Sequence, residues 1–195
     1  TKVMTTGEGG MLVTAREDLA RTVRSLQNRG RDMDSPVESY VLPGRNNRFT
    51  EMAASMGLSQ LRCLPGFLAQ RRRMAAIYDE LLLASELFVP LLANDGSLPG
   101  YWRYVVTPTM KINRKVLRDR LAADRITIDW AYDPPLHLQP VYRNTLGTHP
   151  GMLPKSEAIL SRHICLPIHA EMREGDVQYV AERLVHHAKL LALVS

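Results

Sequence analysis

Helical apolar spacing runs from Thr50 to Ser85 with one interruption, Pro65-Gly66, and that break does most to limit what the chain can fold into. A proline inside a helix removes a backbone donor and clashes with the preceding turn, so the spacing predicts two helices joined by a hinge. The first starts at Thr50, a good N-cap, with Glu51 where the helix dipole favours an acid. It carries Ala54, Leu58 and Leu61 on one face. The second runs from about Phe67 to Ser85 with Met74, Ile77, Tyr78, Leu81 and Leu82 as its stripe. Arg71-Arg72-Arg73 fall mostly off that stripe and read as a solvated face rather than a nucleic-acid patch. The hinge divides the chain into residues 1–64 and 65–195.

Before the hinge, Met11-Leu12-Val13-Thr14 reads as a buried strand. Leu19, Val23 and Leu26 then mark an amphipathic helix over about Arg16 to Arg29, closed by Gly30. Residues 31–49 read as an extended loop. After the hinge, Tyr101 to Val106 is a strand, and Arg114 to Ala123 a helix with Val116, Leu117 and Leu121 inward. Ile126 to Tyr132 is a further strand, followed by an irregular stretch from Pro134-Pro135 to Pro154. The chain closes with a helix from about Gly175 to Val194, burying Val177, Val180, Ala181, Leu184, Ala188 and Leu191. This alternation predicts a compact α+β unit.

Composition removes several classes. Hydrophobic residues at 45 % exclude a disordered chain. The most apolar stretch, around Leu81 to Leu92, is broken by Glu86 and Pro90 and is too short for a membrane span. Cys63 and Cys165 read as two reduced, buried thiols of a cytoplasmic protein. His163, His169 and His186-His187 have no zinc-type spacing, so no metal is expected, and no serine-hydrolase elbow is present. A net charge of +5 favours an anionic partner without choosing one. The opening Thr1-Lys2-Val3, running straight into a glycine-rich turn, reads as the start of the C-terminal portion of a longer protein.

Three segments carry chemistry. Lys2 precedes Thr5-Thr6-Gly7-Glu8-Gly9-Gly10, where glycines permit sharp turns and close approach of a ligand. A lysine desolvated beside such a turn is a nucleophile toward carbonyls, as in a Schiff base with pyridoxal phosphate. A phosphate loop and a plain surface hairpin are the alternatives, although no Gly-Lys-Ser/Thr opens a helix here. Gly44-Arg45-Asn46-Asn47-Arg48 feeds a helix start and reads either as an anion site or as a simple cap. Tyr132 and His137 lie in the proline-stiffened run Tyr132 to Tyr142, where a lone histidine is more often a satisfied surface group.

Taken in order, these segments resemble the C-terminal half of the DegT/DnrJ/StrS aminotransferases. Ala53-Ala54 through Gly57-Leu58 to Gln60-Leu61, Arg72-Arg73 with Ala76 and Tyr78, Pro135 to Pro140, and Leu166-Pro167-Ile168-His169 extend the match. The resemblance implies an α/β protein of pyridoxal-phosphate transferase fold type I. Residues 1–64 would end the large cofactor-binding domain and 65–195 form the small α+β C-terminal domain. It implies that Lys2 is the Schiff-base lysine and that Asn46 reaches the cofactor phosphate of a neighbouring subunit in a homodimer with shared sites. Arg48, Tyr132 and His137 would lie near a substrate. The implied reaction moves an amino group from glutamate or glutamine to a nucleoside-diphosphate-linked keto-deoxysugar, with no nucleic-acid or membrane partner. A cyclitol or other ring-ketone acceptor, or a regulatory DNA-binding member, is the alternative. Asn47 stands where this family often has an aromatic, and the family's partner aspartate for the pyridine nitrogen and its ring-stacking aromatic lie upstream of these residues.

Overall fold

The structure is a computed structural model that describes residues 2–94 and 96–192. Its contacts divide into two compact units, Thr1–Leu64 and Pro65–Ser195. In the first, α1 spans Glu17–Gln27 and ends as expected, with Arg29 and Gly30 both in the left-handed region. Residues 31–50 are irregular, apart from isolated bridges pairing Asn28 with Asn46 and Arg31 with Tyr40.

Met11 to Thr14 form no strand, and Met11 and Val13 are 90 % and 86 % exposed. A buried strand needs a neighbour to satisfy its backbone, and no strand exists among the described residues of this unit.

α2 spans Glu51–Ser85 without a break, so the two helices expected around Pro65-Gly66 are one. Pro65 forfeits one helical N–H bond, at a cost of about 3 kcal/mol. Leucine, glutamine, arginine and alanine on both sides favour helix, and burial of Met74, Ala75, Tyr78 and Leu82 further along offsets the loss. At its start, Thr50 Oγ1 accepts a hydrogen bond from the Ala53 N–H at 3.2 Å, the expected cap. Thr50→Ala should therefore cost about 1 kcal/mol in a denaturant titration, with activity unchanged at low temperature. Leu58 and Leu61 point outward, contrary to expectation; up to Leu64 the half-buried positions are Ala53, Ala54, Gly57, Gln60 and Leu64, of which only Ala54 was expected.

The second unit is built on a three-stranded antiparallel sheet in the order β1 (Phe88–Pro90), β2 (Tyr104–Pro108), β3 (Ile164–Leu166). β2 starts later than expected because Tyr101 takes a positive φ of 42°. The strand expected at Ile126 to Tyr132 is reduced to a single bridge from Asp129 to Cys165. Ile126 and Ile128 are buried, but positive φ values at Arg125 and Tyr132 close the segment at both ends.

α3 spans Arg114–Ala123 as expected, capped by Asn113 Oδ1, which accepts from the Lys115 and Val116 N–H groups. Leu117 and Leu121 are buried, whereas Val116 sits about 100° around the helix from Leu117 and is partly exposed. The stretch expected to be irregular holds a short 3-10 turn, Leu136–Leu138, and α4, Pro140–Leu146; α5, Pro154–Leu160, begins at its far end. Pro140 and Pro154 act here as helix starters, because a first-turn residue needs no N–H. α6 spans Glu174–Ala192 and buries Val177, Val180, Ala181, Leu184 and Ala188, with Leu191 packed against the core; Val194 lies outside the described residues. Tyr78 and Tyr104 stack at 4.7 Å in the centre of that core.

Of the arginine triplet of α2, read as a solvated face, Arg73 is exposed as expected, whereas Arg71 is buried and Arg72 half-buried. Arg71 is 7 % exposed and donates to the carbonyls of Tyr101 (2.8 Å) and Ile168 (2.9 Å). Arg72 donates to the carbonyls of Pro99 and Leu98, and Arg73 pairs with Glu174. Arg71 and Arg72 thus fasten residues 98–101 to the helix, and Arg71 also holds Ile168. Arg71→Ala should destabilise the unit by about 3 kcal/mol, since it leaves two carbonyls without their charged donor; thermal unfolding checks this. Of the two thiols expected to be buried, Cys63 is exposed and Cys165 buried. No helix among the described residues is long and apolar enough to cross a membrane.

Candidate active site

The segment after Lys2 is a compact turn laid on the beginning of α2. The Gly7 N–H donates to Thr5 Oγ1 (3.1 Å), Thr6 Oγ1 donates to the Glu8 carbonyl (3.1 Å), and Gly7 has a φ of 79°. The Thr5 N–H donates to Gln60 Oε1 at 3.3 Å. Gly57 lets the loop approach: a Cβ there would lie 3.1 Å from the Thr6 methyl. Lys2 itself is exposed. An accessible primary amine on a loop anchored two ways can form a covalent bond with an aldehyde.

Asn46 and Arg48 are placed by the end of α1. A helix leaves its last carbonyls without partners. Here the Arg45 N–H donates to the Leu26 carbonyl (2.9 Å) and the Asn47 N–H to that of Gln27 (2.8 Å). The loop fits because Gly30 and Gly44 meet backbone to backbone. A Cβ on Gly30 would lie 1.6 Å from the Leu42 oxygen, and one on Gly44 2.1 Å from the Gly30 nitrogen. The Arg48 Nε–H donates to Asn46 Oδ1 at 3.0 Å, so these two expected site residues are brought together, exposed on one loop. An amide and a guanidinium side by side suit a phosphate or carboxylate.

Tyr132 and His137 belong to the second unit. Tyr132 is 56 % exposed, with a φ of 58° that is unusual for a bulky residue. His137 is a held group rather than a free one: its side chain is 9 % exposed and its Nε2 lies 3.0 Å from Glu157 Oε1. Glu157 also accepts from the N–H groups of Gly151 and Leu153. These bonds, the Gly151 one first, hold its carboxyl below the usual range. Thr148 Oγ1 donates to the His137 carbonyl at 2.5 Å, completing a loop folded around the ring. Sequence reading missed Glu157; a carboxylate one helical turn inside α5 after Pro154 is the signal that could have found it. It also missed Arg114 and His163, whose contacts are described below. No group of three His, Cys, Asp or Glu residues among the described residues is arranged to hold a metal ion.

Residues 1–185 match the DegT/DnrJ/EryC1/StrS aminotransferase family profile. The chain is 31 % identical over 180 residues to a pleiotropic regulatory protein of Geobacillus stearothermophilus, covering 91 % of this chain and 46 % of that one. It is 31 % identical over 193 residues to the dTDP-4-dehydro-2,3,6-trideoxy-D-glucose 4-aminotransferase of Saccharopolyspora spinosa, covering 93 % and 48 %. Among solved structures, the aminotransferase TlmJ from Streptoalloteichus hindustanus superposes with a TM-score of 0.85 at 29 % identity, covering 100 % of this chain and 50 % of that one. The chain thus spans about half the length of the relatives it matches. Its fold is that of the pyridoxal-phosphate-dependent sugar aminotransferases. With the family match running almost end to end, through the Lys2 turn, the Asn46 loop and the His137 segment alike, the chain belongs to the DegT/DnrJ/EryC1/StrS aminotransferase family.

Proposed function

We propose that this chain provides the catalytic lysine and the C-terminal portion of a pyridoxal-phosphate-dependent aminotransferase. Its donor would be glutamate or glutamine, and its acceptor a nucleoside-diphosphate-linked keto-deoxysugar. The observation that carries this reading is Lys2: an accessible amine beside a glycine turn anchored to Gln60 and Gly57, in a chain that matches an aminotransferase family from residue 1. The donor set suits the cofactor, with one amine for its aldehyde and an amide next to a guanidinium for an anionic group.

When bound, the cofactor supplies an electron sink that lets the bond from carbon to hydrogen beside the substrate nitrogen break. The chain's own residues do the rest. Lys2 Nζ holds the cofactor and, once displaced by the incoming amine, takes and returns the proton at that carbon. Asn46 donates to the cofactor phosphate of a neighbouring subunit, which makes the working unit a homodimer with shared sites. Arg48 faces the anionic part of the substrate, and Tyr132 and His137 border the sugar. Residues 1–64 end the large cofactor-binding domain and residues 65–195 form the small one. The exposed Met11, Val13, Met52 and Leu58 suit a first unit covered by more of the same enzyme. Two free thiols suit a reducing, cytoplasmic setting. A DNA-binding role draws little from the arginine triplet, whose Arg71 and Arg72 are committed to main-chain carbonyls.

The test is an absorbance spectrum of the purified full-length protein with added pyridoxal phosphate. A band above the free cofactor's that shifts on adding glutamate supports the reading. A protein that stays colourless with saturating cofactor overturns it.

A further inference from the structure

The backbone around Tyr132 is held by a set of contacts that the reaction itself does not require. Tyr132 sits at a φ of 58°, which a bulky side chain adopts only when its surroundings impose it. Those surroundings come from α3 and from the turn after α5. Arg114, its side chain 12 % exposed, donates to the Leu160 carbonyl (3.2 Å) and the His163 carbonyl (3.0 Å) and pairs with the Asp133 carboxylate. Its guanidinium also lies 4.6 Å from the ring centre of Trp130, against which Arg118 packs at 5.2 Å. The residue before Tyr132 is held by a histidine. The Ala131 N–H donates to His163 Nε2 at 3.0 Å, while His163 Nδ1 lies 3.0 Å from the Leu160 carbonyl. A carbonyl can only accept, so Nδ1 carries the hydrogen and Nε2 the lone pair. Trp130, Ala131 and Asp133 are each gripped, and Tyr132, flanked by Ala131 and Asp133, is 56 % exposed.

We propose that Arg114 and His163 are positioning residues that hold Tyr132 ready for the sugar substrate, and that the hold requires a neutral His163. The proposal rests on the reading of Tyr132 as a substrate-facing residue. A protonated imidazole donates from both nitrogens, so the Ala131 N–H loses its acceptor. The charged groups facing His163 are Arg114, which opposes a second positive charge, and Asp133, which favours it. Burial, the largest influence, holds the ring below the usual histidine range. For a base with a lowered folded-state pKa, the sign follows directly. The contribution is complete above the unfolded value, about 6.5, and is lost as the pH falls from there through the folded value.

The experiment compares full-length wild type, His163→Leu, His163→Gln and Arg114→Lys. One arm measures amide exchange over residues 128–138, corrected for the intrinsic pH dependence. The other measures KM and kcat against pH, using dTDP- and GDP-linked 4-keto-6-deoxyhexoses as acceptors. His163→Leu should lose protection at Ala131 to Asp133 and raise the acceptor KM about tenfold, with a smaller change in kcat. Arg114→Lys keeps the charge but not the fork, and should do the same to a lesser degree. Glutamine can both accept from Ala131 and donate to Leu160. His163→Gln should therefore restore protection and KM at neutral pH and abolish the rise in KM that wild type shows once the pH falls through the lowered folded-state value of His163. Unchanged protection and KM in His163→Leu, or the same pH profile in wild type and His163→Gln, overturns the proposal. If wild type turns over none of the acceptors, the substrate reading falls, and the exchange arm still decides whether His163 holds the segment.

Discussion

Replacing Lys2 with alanine should reduce transamination by at least about a thousandfold, the range removed with a general acid–base group, and more if the covalent hold also matters. Folding should be little affected, because Lys2 is exposed and the turn behind it is anchored by Thr5 and Thr6. The measurement is twofold: turnover with glutamate as donor, and intact mass after borohydride reduction in the presence of pyridoxal phosphate. Wild type should gain the mass of one reduced cofactor on the peptide holding Lys2, and Lys2→Ala should gain none there. Partial recovery of turnover with a small added amine would mark the loss as chemical. If Lys2→Ala keeps full turnover, the lysine assignment is wrong whatever the fold.

Alanine at Gly30 should cost more than about 4 kcal/mol, at the extreme end for a single substitution. Two costs coincide. The residue needs a φ of 82°, and the new Cβ would lie 1.6 Å from the Leu42 oxygen and 2.5 Å from its carbonyl carbon. Both contacts are backbone, so no side chain can swing away, and the opposing Gly44 is packed as tightly. Relief requires the loop to leave the end of α1, which frees the Leu26 and Gln27 carbonyls and displaces Asn46 and Arg48. Limited proteolysis across residues 31–49 should therefore accelerate, and cofactor affinity should fall, while α6 and the three-stranded sheet stay folded. A variant with unchanged proteolysis would show that the two glycines do not meet as described.

What was legible in the sequence follows from how local its causes are. α3, the Thr50 cap and the buried face of α6 depend on residues a turn apart, and periodicity found them. Failures came where distant groups decide. Pro65 looked like a stop because its neighbours in sequence cannot reveal the burial further along that keeps α2 continuous. Pro140 and Pro154 looked like loop residues because the same side chain both breaks a helix and begins one. Met11 to Thr14 has the composition of a strand, and none of the described residues pairs with it to make it one. At the candidate site, residue chemistry singled out the segments holding Lys2, Asn46 and His137 but left each with a plainer alternative, and the family resemblance supplied the expected roles. Arg114, Glu157 and His163 act on chain nineteen to thirty-two residues away, and only Glu157, one turn after Pro154, has a local pattern to announce it.

The fastenings of the second unit differ in one respect that solution conditions can exploit. Arg71 binds Tyr101 and Ile168 through a guanidinium that stays charged in mild acid. His163 binds Ala131 through a lone pair that a single proton occupies. Mild acid therefore acts on the unit as a selective key: it opens the Ala131 end while α2 keeps its grip elsewhere. Loosening should proceed in a fixed order, seen in exchange as a sequence of local events before any global one.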